Sequence, residues 1–594
     1  RAALDALAAA QIIPEEDARV LGESYDRLRV LEHRLQMVLD QQTHSLPEQA
    51  AAIDNLAGLE GLPDGAALVA ELETITERVG QRYDALIAIH GDGGATSVAV
   101  PAQEPPRNLT SELAELGFPD PESVAGRIDG WRSGKIRALR SDAARAAFDA
   151  VQPELLAALA HSPDPARAFN RWETLLTQLP SALNLFHLLE ARPALLELLA
   201  KVLSLAPPLA DALARRADLL DPLIDSSAFD LPGSVADLAA EFSKGEVGDD
   251  YERLLDRVRR HVSELRFALG VQLIEGASDP LDIARANSRV AEAAIEVLAR
   301  ATVTEFEQAH GRVGDSDLVI LGLGRLGGGM LTHASDLDLV YLFTGQHEAE
   351  SDGRRPLGAT TYFNRLAQRI TAALSVPTAE GALFEVDTRL RPSGEQGPLV
   401  ATFDSFDRYQ REAAWTWEHM ALCRARPLFG PANDRAQLSG IIAEVLTRTR
   451  DKAELRTSVL DMRARMAEHK PPKGPLDAKL LRGGLVDLEF VVHYLQLKDG
   501  KGLSPFLPEA IAALAEAGLV TGRLGQAHDR LSRMLIAARL LAPDGQVPPP
   551  GPSAALAAAC GCAQWDEVME RFQDARAVVA QAWNDTFGEQ LETE

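Results

Sequence analysis

Two short apolar segments, rich in β-branched residues, interrupt a chain that otherwise consists of strong helix formers. They are residues 317–323 (DLVILGL) and 337–343 (LDLVYLF), and residues 382–390 (ALFEVDTRL) form a third segment of this kind. Such runs are typical of strands. The sequence therefore predicts one modest sheet set inside a protein that is mostly α-helical.

The remaining sequence is rich in Ala, Leu, Glu and Arg, which favour helices. Residues 287–308 are typical, because Val290, Ala294 and Leu298 recur at helical spacing on one face. Residues 91–106 (GDGGATSVAVPAQEPP) break this pattern and predict a flexible connector.

Composition narrows the class of protein. The 594 residues carry 60 Lys and Arg against 87 Asp and Glu, a net charge of −27, which argues against a nucleic-acid-coating role. The 46% apolar content is too high for a disordered chain, and the length predicts about three to five domains.

No membrane span or signal peptide is predicted, and three cysteines are too few for a disulfide framework, so the cytoplasm is the expected location. Because the sequence starts at Arg1 rather than Met, we expect it to be part of a longer protein.

Acidic residues mark the second and third predicted strands. Asp336 and Asp338 lie two positions apart, so a strand would direct both carboxylates to the same side. Their mutual repulsion predicts one or two compensating divalent cations, with Mg²⁺ as the expected ion. Asp387 adds a third carboxylate, with Arg389 and Arg391 nearby. Three carboxylates, two metals and adjacent arginines are what nucleotidyl transfer requires.

A glycine-rich turn precedes the acidic pair. Residues 322–327 (GLGRLG) match G-x-G-x-x-G, a pattern of dinucleotide-binding turns. Only nine residues separate Gly327 from Leu337, whereas a parallel crossover needs a dozen or more, which argues against that interpretation. We expect these glycines instead to let the backbone approach a nucleoside triphosphate. The plain alternative is a surface turn that happens to carry two Asp residues, and the third acid argues against it.

These motifs resemble a known family. Residues 324–328 (GRLGG) followed by 335–339 (SDLDL) resemble the DNA polymerase beta-type nucleotidyltransferase core and, more narrowly, the glutamine synthetase adenylyltransferase family. Other segments similar to that family are 385–394 (EVDTRLRPSG), 414–419 (AWTWEH), 424–426 (RAR), 482–490 (RGGLVDLEF), 31–36 (LEHRLQ) and 41–44 (QQTH).

The resemblance implies a fold and a division into domains. The implied fold is mostly α, with a small α+β, DNA polymerase beta-like nucleotidyltransferase domain flanked by helical bundles. The family has two catalytic halves, of which the first removes AMP by phosphorolysis and the second attaches it. The AWTWEH segment is similar to the second half. The implied domains are a helical tail of a preceding catalytic module (1–90), the connector (91–106), a helical domain (107–284), the nucleotidyltransferase domain (285–450) and a C-terminal helical bundle (451–594).

An internal similarity agrees with a tandem arrangement. Residues 3–13 (ALDALAAAQII) resemble 510–520 (AIAALAEAGLV), and residues 25–28 resemble 528–531. Helices rich in Ala and Leu also resemble one another by chance, and this alternative stays open.

The resemblance implies transfer of AMP from ATP to a tyrosine of glutamine synthetase, with release of pyrophosphate. In this interpretation Asp336 and Asp338 hold two metal ions, Mg²⁺ or alternatively Mn²⁺. Asp387 completes one metal site and helps to deprotonate the tyrosine. The residues expected to contact the triphosphate or stabilise its charge are Gly324, Arg325, Gly327, Gly328, Ser335, Arg389 and Arg391.

Two other functions remain open from the sequence. One is the reverse chemistry, phosphorolytic removal of AMP from adenylylated glutamine synthetase, because the same acids would serve both directions. The other is a catalytically silent regulatory module that binds glutamine synthetase and a PII-type signal protein. The expected partners are these two proteins, with neither nucleic acid nor membrane.

Three further residues carry expectations. Members of the family usually have Glu at the position of Met330, and Met cannot bind a hard metal ion. Trp415 and Trp417 are predicted to pack in the core beside the sheet, with stacking on the nucleotide base as the alternative.

Overall fold

The computed structural model describes residues 4, 8, 13–39, 50–91, 109–179, 181–224, 229–245, 250–345 and 347–591. The chain divides into two compact units. Arg1–Ala157 and Leu176–Pro193 form the first, and Ala158–Leu175 and Ala194–Glu594 form the second. Predicted features that fall on residues 3, 5–7, 9–12, 41–44 or 92–106 lie outside the described residues.

The described part of the first unit is built from helices. In chain order, the helices that begin before residue 193 are α1 (Glu15–Leu39), α2 (Ala50–Leu59), α3 (Gly65–Gly91), α4 (Leu109–Leu116), α5 (Pro121–Gly130), α6 (Asp142–His161), α7 (Pro165–Gln178) and α8 (Leu183–Ala191). Residues 158–161 of α6 and 165–175 of α7 belong to the second unit. Phe148 lies in the core of this unit, with its ring centroid 5.9 Å from that of Trp131 and 5.5 Å from that of Phe186.

The second unit contains helices and the sheet. Its helices are α9 (Pro193–Leu205), α10 (Pro207–Arg215), α11 (Val235–Phe242), α12 (Tyr251–Glu275), α13 (Pro280–His310), α14 (Gly324–Gly327), α15 (Ala359–Ser375), α16 (Phe403–Glu412), α17 (Thr416–Leu422), α18 (Ala432–Thr447), α19 (Lys452–His469), α20 (Leu485–Asp499), α21 (Leu507–Glu516), α22 (Arg523–Leu541), α23 (Pro550–Ala559) and α24 (Trp565–Phe587). Among the described residues no single helix is long and apolar enough to cross a membrane, although α9 and α10, bent by 118°, pass that test as a pair.

Within the described residues the sheet has five strands. They are β1 (Leu318–Gly322), β2 (Leu337–Phe343), β3 (Val386–Asp387), β4 (Val400–Thr402) and β5 (Arg426–Phe429). The order is β3-β2-β1-β5, and β4 also pairs with β2. β1 is antiparallel to both β2 and β5, whereas β3 and β4 are parallel to β2. The sheet is therefore mixed, with β1 and β2 at its centre.

Two helices pack on the central strands. Buried residues of β1 and β2 form one hydrophobic core with the apolar faces of α13 and α15. The rings of Phe343 and Phe363 stack with centroids 4.4 Å apart, and the Tyr341 hydroxyl lies 2.9 Å from that of Thr371. Because every residue of β1 is buried, its continuous apolar run is the pattern expected of a strand covered on both faces.

The prediction of a mostly helical protein with one small mixed sheet is confirmed, and 337–343 matches β2 at both ends. The third predicted strand, 382–390, is too long, because only Val386–Asp387 pair as a strand. The Phe384 N–H donates to the Leu374 carbonyl near the end of α15 at 3.0 Å, so Phe384 is bonded to a helix instead of a strand. The domain boundaries given above stay predictions.

Candidate active site

Three carboxylates meet where β2 and β3 lie side by side. Asp338 and Asp387 are directly opposite each other in the parallel register, and Asp336 immediately precedes β2. One carboxylate oxygen from each of the three residues lies within 4.8 Å of the others. The structure thus brings together the three acids that the sequence singled out.

The electrostatics of this triad suit a divalent cation. Burial raises the pKa of Asp338 to about 6, and the negative charges of Asp336 and Asp387 contribute to this rise. A bound cation would relieve that repulsion, and carboxylate oxygens are the ligands that Mg²⁺ prefers. The donor set of Asp336, Asp338 and Asp387 therefore fits a hard divalent ion.

Arg389 is paired with one member of the triad. Its Nε donates to the two carboxylate oxygens of Asp387 at 3.0 and 2.9 Å, and its Nη2 forms an ion pair with Asp387 Oδ2. This guanidinium holds the pKa of Asp387 below its ordinary value. The Arg389 side chain is 69% exposed, so the pair lies at the surface and can exchange partners.

Arg391 is engaged in its own loop. Its Nη1 donates to the Thr388 carbonyl at 2.9 Å, and its Nε donates to the Gly397 carbonyl at 3.4 Å. The side chain therefore stabilises the loop that follows β3, and its predicted role in stabilising phosphate charge stays a prediction.

The glycine-rich turn approaches protein groups closely. Gly324 has a φ of +55°, and a Cβ at this position would overlap the Asp338 carboxylate. A Cβ on Gly327 would overlap the Arg424 carbonyl, and one on Gly328 would lie 2.6 Å from Arg424 Nη2. The Gly327 and Gly328 amides also donate within the turn, to Leu323 and Gly324 at 2.8 and 3.1 Å. Glycine is thus required here for packing against Asp338 and Arg424, which the sequence did not indicate.

Arg426 holds the turn from the other side. Its Nε donates to the Gly327 carbonyl at 3.1 Å, and its Nη1 donates to Glu292 on α13 at 2.9 Å. The segment 424–426 therefore fixes the turn, through the main chain and guanidinium of Arg424 and the guanidinium of Arg426.

Substituting Gly327 with Ala should loosen this arrangement. We expect Gly327→Ala to lower the free energy of unfolding by about 1–3 kcal/mol, because the new methyl group must displace the Arg424 backbone. Urea denaturation measures the change. Gly440→Ala is the matched control, since Gly440 lies in α18 with open space around its Cβ position, and should leave stability unchanged or raised. Equal effects of the two substitutions would contradict the packing assigned to Gly327.

Ser335 and Arg325 make contacts within the loop between β1 and β2. The Ser335 hydroxyl accepts a hydrogen bond from the Thr332 N–H at 2.9 Å, and Arg325 Nη1 donates to the Met330 carbonyl at 3.3 Å. Met330 is buried in an apolar cluster with Leu281, and it accordingly serves packing at the position where the family resemblance leads one to expect Glu. The predicted phosphate contacts of Ser335 and Arg325 stay predictions.

Arg266 on α12 is a residue that the sequence did not reveal. Its Nη1 donates to the Leu383 carbonyl at 3.2 Å, and its Nη2 donates to the His333 carbonyl. His333 lies three residues before Asp336 and Leu383 lies four before Asp387. Arg266 thus ties together the two segments that deliver the acids, and no local pattern could have found it because its partners lie 67 and 117 residues away.

Removing the Arg266 guanidinium should weaken metal binding. We expect Arg266→Met to lower the affinity for Mn²⁺ by about 10–100-fold, the usual effect of losing a group that orients metal ligands. Electron paramagnetic resonance of free Mn²⁺ measures this affinity. Arg260→Met is the matched control on the same helix, because Arg260 is half-exposed and pairs with Glu380. Unchanged Mn²⁺ affinity in Arg266→Met, with circular dichroism like the wild type, would contradict this role.

Trp415 and Trp417 do not pack in the core, so that prediction is wrong. Their exposed fractions are 71% and 39%. Glu418 accepts hydrogen bonds from the Trp415 N–H at 2.8 Å and from the Tyr409 hydroxyl at 2.9 Å, which fixes the start of α17 with the Trp415 side chain outward. The buried His419 ring nitrogen lies 2.8 Å from the Gln410 carbonyl, so Glu418 and His419 are both structural here.

Comparison with known proteins identifies relatives. Residues 196–440 match the family described as glutamate-ammonia ligase adenylyltransferase, and residues 1–87 match the family described as GlnD PII-uridylyltransferase. The bifunctional glutamine synthetase adenylyltransferase/adenylyl-removing enzyme of Agrobacterium fabrum is 41% identical over 87% of this chain and 53% of its own length. The protein of the same name in Caulobacter vibrioides is 36% identical over 98% of this chain and 60% of its own length. The chain spans about half the length of the curated relatives it matches.

Proposed function

Residues 196–440 belong to the glutamate-ammonia ligase adenylyltransferase family, and from this premise we propose that the chain transfers AMP from ATP to a tyrosine of glutamine synthetase. The family resemblance noted in the sequence is confirmed by these relatives. The observation that carries the proposed activity is the triad of Asp336, Asp338 and Asp387, whose oxygens converge within 4.8 Å. A catalytically silent module would have no need to bring three repelling carboxylates together.

The reaction is an in-line displacement. The tyrosine oxygen bonds to the α-phosphorus of ATP, the bond from that phosphorus to the pyrophosphate oxygen breaks, and pyrophosphate leaves with the electron pair. Asp336, Asp338 and Asp387 would hold two divalent ions, Mg²⁺ or Mn²⁺. When bound, such ions lower the pKa of the attacking hydroxyl and shield the triphosphate.

Asp387 and Arg389 act as a pair in this proposal. Asp387 accepts the tyrosine proton once Arg389 has left it, and Arg389 then pairs with phosphate oxygens. The exchange is feasible because Arg389 is exposed and its ion pair with Asp387 is screened by solvent. The remaining rate enhancement comes from positioning and electrostatic stabilisation.

The reverse chemistry is the second candidate function. The names of the relatives include an adenylyl-removing activity, and the same three acids would serve phosphorolysis. In that reaction an orthophosphate oxygen attacks the phosphorus of AMP-tyrosine, and the bond from that phosphorus to the tyrosine oxygen breaks. The products are ADP and the unmodified tyrosine.

The proposed partners are glutamine synthetase and a PII-type signal protein, and the proposed location is the cytoplasm. The match of residues 1–87 to a PII-uridylyltransferase family supports a link to PII-type proteins.

A coupled assay of products tests the direction of the reaction. With ATP, Mg²⁺ and unmodified glutamine synthetase, we expect pyrophosphate release that depends on the acceptor protein. ADP formation from adenylylated glutamine synthetase and orthophosphate, without pyrophosphate release in the first assay, would assign this chain to the removing reaction instead.

A further inference from the structure

Several basic side chains gather beside the acid triad around one carboxylate. Glu489 on α20 accepts a hydrogen bond from Arg424 Nη1 at 2.7 Å. Although burial opposes ionisation, the positive charges of Arg424, Arg325 and Lys479 hold the pKa of Glu489 below its ordinary value. Arg539 on α22 acts electrostatically on both Arg325 and Lys479. Three of these cations, Arg424, Arg325 and Lys479, therefore act on a single carboxylate outside the triad.

Arg424 is incompletely satisfied. It is 8% exposed, and its Nε is buried without a hydrogen-bond partner among the described residues. Its Nη2 lies against Gly328 of the glycine-rich turn. A buried guanidinium with a free N–H beside a glycine-rich turn indicates a missing anionic partner, because unpaired buried donors are costly.

Two hydrogen bonds fix the backbone of Lys479. Its N–H donates to Asp477 Oδ1 at 3.1 Å, and its carbonyl accepts from the Val486 N–H at 3.1 Å. Its ammonium has no ion pair or hydrogen bond within the part of the chain that the structure describes. Lys479 and Arg424 are the two cations that act on the Asp338 carboxylate. Their positive charges therefore act on one of the carboxylates that would hold a metal ion.

The anion that suits this cluster carries several charges and several oxygens. Within the described residues Arg424 alone of these three cations forms an ion pair with Glu489. A chain of phosphates would supply further negative charge in one ligand. Arginine pairs with phosphate oxygens through two parallel hydrogen bonds, and lysine binds them as a point charge. The oxygens of a polyphosphate bound here would also coordinate a metal ion held by the triad.

We propose that Lys479 and Arg424 bind the phosphate chain of the nucleotide, and free pyrophosphate by the same chemistry, at a site completed by residues outside the sheet. The identity of the nucleotide rests on the function proposed above, whereas the polyphosphate site does not. The long segment between α19 and α20 thus contributes to the binding of substrate.

Calorimetric titration of the full chain with inorganic pyrophosphate and Mg²⁺ tests the proposal. We expect Lys479→Gln to weaken pyrophosphate binding by at least about tenfold and Lys479→Arg to restore most of it. Lys473 is exposed in the same segment and is not among the charges that act on Glu489 or Asp338, so Lys473→Gln should bind pyrophosphate like the wild type. Pyrophosphate binding that is absent in the wild type, or equal in Lys479→Gln and the wild type, would overturn the proposal.

Titration with ATP separates the two sources of the phosphate chain. An equal loss of ATP affinity in Lys479→Gln, with AMP affinity unchanged, supports binding of the nucleotide tail. Weakened pyrophosphate binding with unchanged ATP affinity would overturn that assignment. Because these titrations need no acceptor protein, a failure of AMP transfer to glutamine synthetase would affect only the proposed function.

Discussion

Asp338→Asn, alone or together with Asp336→Asn, is expected to reduce AMP transfer on the order of 10³-fold or more. Both residues supply oxygens to the convergent triad, and an amide neither carries the charge nor binds a hard cation as a carboxylate does. Pyrophosphate release at saturating ATP and Mg²⁺ measures the effect.

Stability separates this loss from unfolding. Since burial raises the pKa of Asp338 to about 6, the folded state favours its protonated form. Its ionisation therefore lowers stability as the pH rises from about 4 to 6, and that loss persists at neutral pH. Asp338→Asn should then melt at or above the temperature of the wild type in the absence of metal. Asp404 is exposed, and Asp404→Asn is therefore the matched control, which should keep full activity.

Asp487→Ala is expected to cost about 3–5 kcal/mol of unfolding free energy. Asp487 and Arg463 are buried and paired at 2.5 Å, and Asp487 Oδ2 also accepts the Gly483 N–H at 2.7 Å. Removing the carboxylate leaves the Arg463 charge without its partner in the interior. Urea denaturation monitored by circular dichroism measures the change.

Two further variants sharpen this test. Asp461→Ala changes an exposed acid on α19 and should cost less than about 0.5 kcal/mol. Replacing both members of the buried pair, Arg463→Met with Asp487→Leu, should recover a large part of the loss, because no charge is then left unpaired. A small effect of Asp487→Ala, similar to that of Asp461→Ala, would contradict the importance of the pair.

The strongest predictions from sequence concerned local patterns. The segment 337–343 was recognisable because it is apolar apart from Asp338, and the two-residue spacing of Asp336 and Asp338 places their carboxylates on one side. Asp387 joins them because β3 is parallel to β2 in register. In contrast, Leu383 and Phe384 are apolar because they pack in the core that includes α15, which a strand pattern does not distinguish.

The supporting side chains were beyond the reach of local patterns. Arg266 and Lys479 come from segments far from the sheet in sequence, and each is an ordinary polar residue in its own surroundings. Their roles depend on which carbonyls and carboxylates the tertiary fold places beside them. Trp415 was misjudged because apolar size suggests burial, whereas the hydrogen bonds of Glu418 direct its side chain outward.

Intact-mass spectrometry of glutamine synthetase tests the central claim most directly. After incubation with this chain, ATP and Mg²⁺, we predict the addition of one AMP per modified subunit, located on a tyrosine, and its loss with the Asp336→Asn/Asp338→Asn variant. An unchanged subunit mass with the folded wild-type chain, or equal AMP addition by that variant, would contradict the claim that the acid triad catalyses AMP transfer.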